Sequence, residues 1–177
     1  MTFFLLLGIF GYYTFNVKKD LRFVLDTLFN GLHRLEYRGY DSSGIAVDII
    51  DAYPLSAAKQ NSEGDVITEE NGAHDTSSPL IVKEVGKVAE LEKLVASTIA
   101  AQGIETSREF KNQVAISHTR WATHGPPCAV NSHPHVSDPL AEFVVVHNGI
   151  ITNYKLLKDF LVRSRWKQLF CPDGQNI

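Results

Sequence analysis

The chain has 177 residues, 44% hydrophobic and 21% charged, ordinary proportions for one globular domain or part of one. A formal net charge of -3, with no run of Lys and Arg, excludes a basic nucleic-acid surface. Its two cysteines, Cys128 and Cys171, have neither the number nor the spacing of a disulfide framework or a zinc site, and fit a reducing, cytosolic setting.

Phe3 to Phe15 is almost wholly apolar and aromatic, without a charge. It falls short of the roughly 20 residues of a transmembrane helix, and it lacks the basic start and small-residue cleavage site of a secretory signal. It reads as a buried strand with extra apolar residues in front, which argues against a membrane role. From Val17 to Tyr37 the spacing of Leu21, Val24, Leu25, Leu28, Leu32 and Leu35 predicts an amphipathic helix, with Lys18, Lys19, Asp20, Arg22 and Asp26 on the outer face. Gly39 stops it with a turn, and Ser43 to Val47 follows as a strand. Asp51 to Pro79 is polar, has no apolar period and reads as a loop insertion. Leu80 to Gly86 returns to a strand. Leu91, Leu94, Val95, Thr98 and Ile99 mark a second helix that stops near Gly103.

Gln113 to Ser117 alternates like a half-buried strand and leads into His118-Thr119-Arg120-Trp121-Ala122-Thr123-His124-Gly125. Buried polar groups need partners, so these residues are expected where the strand runs out into a loop. Arg120 offers the paired donors that hold a carboxylate, which lysine cannot copy. Five of the seven histidines lie between His118 and His147, yet the acidic ligands of a hydrolytic metal motif are not at matching spacing, so no metal is expected. Glu142 to His147 has the continuous apolar centre of a strand buried on both faces. Asn148-Gly149 is a tight turn at its end, and Asn153 caps a helix with Tyr154, Leu157, Phe160 and Leu161 on its apolar side.

Four blocks in one order, Leu35 to Ser42, His118 to Gly125, Val130 to Pro134 and His147 to Tyr154, closely resemble the glutaminase domain of the glutamine–fructose-6-phosphate aminotransferases, a family of class II glutamine amidotransferases. The resemblance runs from about Gly8 to about Leu161. It implies an α+β fold of the N-terminal-nucleophile hydrolase type, a four-layer αββα sandwich, here truncated. It also implies hydrolysis of glutamine to supply ammonia for glucosamine-6-phosphate synthesis, in the cytoplasm and without a cofactor. By the same resemblance Arg120 binds the α-carboxylate of glutamine, Thr123, His124 and Gly125 contact its amino-acid end, and Trp121 gates ammonia passage. His133 sits at the edge of that site, Arg38 and Gly39 border the nucleophile, and Asn148 and Gly149 form the oxyanion hole.

The family begins Met-Cys-Gly-Ile-Phe, and its first cysteine, freed of methionine, attacks the amide while its own α-amine acts as base. Here Gly8-Ile9-Phe10-Gly11 matches, but Leu7 stands at the cysteine position behind an apolar extension of residues 1–7. Leucine has no nucleophilic atom, and a peptide nitrogen cannot take a proton. The chain is therefore expected to be inactive as written. Thr2 could serve only if the residues up to Leu6, about 17 Å when extended, folded back through the site. Cys128 reads as a bystander in a variable loop. The family's downstream aspartate for the glutamine α-amine is not matched by Asp173, and residues 162–177 read as a divergent tail. Both ends thus suggest a fragment or an altered gene product. The alternative expectation is a non-catalytic remnant that binds glutamine or associates with the full-length aminotransferase.

Overall fold

The computed structural model describes residues 2–6, 8–49, 59–60, 66–67, 79–121 and 127–163. Strands β1 (Thr2–Leu6) and β2 (Ile9–Thr14) come first, and β3 (Lys19–Asp20) leads into helix α1 (Leu21–Leu35), extended by a 3-10 turn (Glu36–Arg38). Next come β4 (Ser42–Val47), the short β5 (Lys59–Gln60) and β6 (Val66–Ile67), β7 (Leu80–Val85) and α2 (Val88–Gln102). The chain continues through β8 (Glu109–Phe110), β9 (Gln113–Arg120), β10 (His135–Val136), β11 (Val144–Val145) and α3 (Tyr154–Arg163). Five strands form one antiparallel sheet in the order β1-β2-β9-β4-β7, and β3–β8, β5–β6 and β10–β11 pair separately.

The architecture is α+β, with α1 lying over β2 and β9 and α2 over β7 and β4. Leu21, Val24, Leu28 and Leu32 of α1 and Val88, Leu91 and Val95 of α2 meet Tyr12, Ile45, Val47, Val82 and Ala115 of the sheet in one core. Each Leu, Val or Ile among them contributes about 1.5–3 kcal/mol on burial. Because side chains alternate along a strand, the register gives β9 a second face carrying Val114, Ile116, His118 and Arg120.

Four elements differ from expectation. The apolar run at the start is two strands of a hairpin, not one buried strand, because Gly8, at φ +89, lies between β1 and β2. Helix α1 begins at Leu21 rather than Val17: the Asp20 carboxylate accepts the Phe23 N–H at 2.8 Å as an N-cap, while Lys19 and Asp20 are engaged with β8. Of Glu142 to His147 only Val144–Val145 is strand; it pairs with β10 outside the main sheet, and Val145 is 54% exposed. The apolar side of α3 also stays exposed, including Phe160 and Leu161. Apart from β5 and β6, the expected loop of Asp51 to Pro79 lies outside the described residues, save Pro79. Strand β7 and helix α2, with Gly103 closing the helix at φ +64, are as expected.

Tyr40 joins the two helices. Its hydroxyl donates to the Glu36 carboxylate and accepts the Val88 N–H at the start of α2, at 2.7 Å. Burial, and then the bond to Glu36, push its pKa up to about 12. His33 bridges Glu36 at 3.0 Å and Glu92 of α2 at 2.8 Å, and its pKa is raised, chiefly by the bond to Glu36. That contribution is present in full below pH 6.5 and fades as pH rises through the folded-state value. Tyr40→Phe leaves the Val88 N–H without its acceptor, so urea unfolding is expected to show a loss of about 1–3 kcal/mol.

Candidate functional site

Strand β9 is the spine of the site. The polar stretch was expected where this strand ends, yet the strand runs on to Arg120, because β2 and β4 flank it and pair Ile9 with His118 and Ser42 with Arg120. His118 and Thr119 are consequently buried, at 2% and 6% exposure. The Thr119 N–H donates to the Gly8 carbonyl at 2.8 Å, with its hydroxyl 3.5 Å from the same oxygen. That bond fixes the residue that directly follows position 7.

Asn148 arrives at the same point from the other end of the chain. A Cβ built on Gly8 would lie 3.2 Å from the Asn148 side-chain nitrogen and 2.8 Å from the Thr119 carbonyl, so the amide is packed against a position that admits glycine alone. Gly149, exposed, lies beneath the His147 ring. On the other side of Thr119, the Arg120 guanidinium is 4.0 Å from the Asp41 carboxylate, and the Asp41 N–H donates to the Arg120 carbonyl at 2.9 Å. At 4.0 Å this ion pair is longer than a charge-assisted hydrogen bond. Trp121, 64% exposed, rests its ring over Gly39, whose φ is +72.

The second face of the sheet carries a column of imidazoles. Gly44 opposes His118 across β4 and β9, and a Cβ there would come within 2.1 Å of the His133 carbonyl. The bare glycine lets the His133-Pro134 backbone settle onto the sheet. The His118 and His133 rings stand edge to face at 4.7 Å, and His133 and His135 at 4.3 Å. Among the described residues both His118 ring nitrogens and the His133 Nδ1 are buried without a hydrogen-bond partner.

Burial, and then Arg120, His135 and His147, push His118 down to about 4. Burial and the neighbouring His135 and His118 push His133 to about 3, while burial and then Lys83 lower His135. All three are neutral imidazoles at pH 7. Lys83 is itself lowered by burial, with the Cys128 side chain acting the other way. No group of metal-ligating side chains occurs among the described residues.

Thus the sheet end brings together Gly39, Arg120, Trp121, His133 and Asn148, all named from the sequence. Leu7, Thr123, His124 and Gly125 lie outside the described residues, as does the Arg38 side chain, whose backbone is in the 3-10 turn. Sequence reasoning gave no role to Asp41 or Lys83 and made His118 and His135 only local hydrogen-bonding groups, whereas both His118 ring nitrogens are without a partner among the described residues. Asp41 had a signal in its place directly after Gly39-Tyr40; the other three are joined only by pairing between distant strands. Gly44→Ala should displace the His133 backbone and cost about 1–3 kcal/mol, read by urea unfolding.

Among known proteins, the chain is 43% identical over 156 residues to a glutamine–fructose-6-phosphate aminotransferase of Arabidopsis thaliana, covering 88% of this chain and 20% of that protein. It is 46% identical over 154 residues to the probable enzyme of that name from Schizosaccharomyces pombe, covering 87% and 18%, and 42% identical over 160 residues to that of Saccharomyces cerevisiae, covering 90% and 18%. The chain spans about a fifth of the length of these relatives. No protein-family model matches it.

Proposed function

For a chain homologous to part of the glutamine–fructose-6-phosphate aminotransferases, we propose that residues 8–161 are a partial class II glutaminase domain whose glutamine site is partly kept and whose nucleophile is lost. The observation that carries this reading is the Asn148 amide packed at Gly8, next to position 7. A side-chain amide N–H at this place can donate to the substrate oxygen on which the charge of a tetrahedral intermediate would develop. Asn148 and the Gly149 N–H serve as the oxyanion hole. Arg120, beside Asp41, takes the α-carboxylate, and Thr123, His124 and Gly125 contact the amino-acid end. His133 borders the site, Arg38 and Gly39 frame position 7, and Trp121, resting on Gly39, holds the place of the family's ammonia gate, a role without meaning here unless a partner supplies the sugar site.

The overall architecture is an N-terminal-nucleophile αββα sandwich of which the chain supplies one sheet and its helix layer. The antiparallel sheet with helices on one face and exposed Tyr13 and Val114 on the other supports this reading. Leu7, joined by a peptide bond to Leu6, supplies neither thiolate nor amine, and glutamine hydrolysis stops before its first step. The protein acts in the cytoplasm and needs no cofactor. The exposed apolar side of α3 favours a second reading, a non-catalytic remnant that associates with the full-length aminotransferase.

Ammonia release from glutamine tests the first reading. The parent chain is expected to be inactive. A variant that replaces Met1 to Leu6 by a removable methionine and carries Leu7→Cys is expected to release ammonia. A folded but inactive variant, with far-ultraviolet circular dichroism like the parent's, removes the glutaminase reading. Activity in the parent removes the role given to position 7.

A further inference from the structure

Asn148 lies far along the chain from the strands that it serves, and it is fastened to them by one continuous column of contacts. His118 of β9 touches His133, His133 touches His135, and His135 pairs with Val145 of β11, three residues before Asn148. From there the Asn148 amide returns to Gly8, beside β2, whose first residue Ile9 pairs with His118. The column begins and ends on the same pair of strands.

Its surroundings are cationic. Arg120 lies two residues along the same face of β9, Lys83 reaches His135 from β7, and His147 faces His118 from the segment that the column holds. Cys128 sits near Lys83, and Asp41, engaged with Arg120, is the nearby carboxylate. A proton on any of the three imidazoles puts positive charge between Arg120 and Lys83, in a space where burial already disfavours it.

We propose that His118 is a positioning residue for Asn148: its neutral imidazole seats His133 and so keeps the Asn148 amide at Gly8, and protonation of the column releases the segment. The functional weight of this rests on the reading of Asn148 as an oxyanion donor, but the positioning itself does not require activity. The linkage has a definite sign. Histidines whose folded-state pKa lies below 6.5 cost nothing above that pH, and they favour the released state increasingly as pH falls from 6.5 towards 4. An open segment takes up the protons that the closed one refuses.

Nuclear Overhauser contacts between the Asn148 side-chain amide and Gly8 or Thr119 measure the latch in the intact chain. In the parent they are expected at pH 7.5 and lost by pH 4.5, while contacts between Leu28 of α1 and Val95 of α2 to the core persist. His118→Phe keeps an aromatic ring at the seat but takes no proton, and should shift the loss at least one pH unit lower. Lys83→Met removes a facing cation and should shift it in the same direction. Contacts that survive at pH 4.5 in the parent, or that disappear together with the core contacts, overturn the proposal. So does an unchanged midpoint in His118→Phe; if that variant does not fold, an unchanged midpoint in Lys83→Met overturns it instead. Absence of glutaminase activity in the Leu7→Cys variant would leave all these readings as they are, so the two ideas fail separately.

Discussion

The antiparallel pairing of β9 with β2 on one side and β4 on the other is the constraint from which the rest follows. Through it Ile9 is set opposite His118, and Ser42 opposite Arg120. Since period-two alternation cannot slip by one residue without exchanging the faces, this register decides which residues meet the helices and which meet the His133 segment. Ala115 goes to the core, and His118 and Arg120 go to the other side. The same pairing draws Gly8, near the chain's start, to Thr119, near its middle.

Legibility tracked periodicity. Helix α2 and strand β7 were readable because each repeats an apolar spacing over several residues and ends on Gly103 or Gly86. The core face of α1 was readable too, but not its start: Lys18, Lys19 and Asp20 fit a helical wheel, and only the capping bond to Phe23 and the pairing with β8 exclude them. Val144 to Val146 looked like a buried strand because an apolar run carries no record of its partner. Its actual partner is the two-residue β10, so Val144 and Val145 pair outside the main sheet and Val146 joins no strand.

The site was legible in its residues and illegible in its physics. Arg120, Asn148 and Gly39 stood out through the motifs around them. Polarity argued for a loop at His118 and Thr119, and the argument failed because strand pairing satisfied their backbones while neutral imidazoles tolerated burial. Lys83 sits in an ordinary strand, and nothing near it in sequence says that His135 is its neighbour. The electrostatics of the column come from four different stretches of chain that the fold alone brings together.

The two borders of the five-stranded sheet differ in a way that bears on how copies of the chain meet. A border strand presents unpaired N–H and C=O groups to any extended chain that comes alongside. At β7 the border sequence is Leu-Ile-Val-Lys-Glu-Val, and its Lys83 and Glu84 make an added strand pay a desolvation penalty. At β1 it is Thr-Phe-Phe-Leu-Leu, uncharged and free of proline, the composition that stacks into cross-β ribbons. Among the described residues, any templated growth of the sheet is therefore polar, opposed at one border and unopposed at the other, and the unopposed border is built from the residues that precede Leu7.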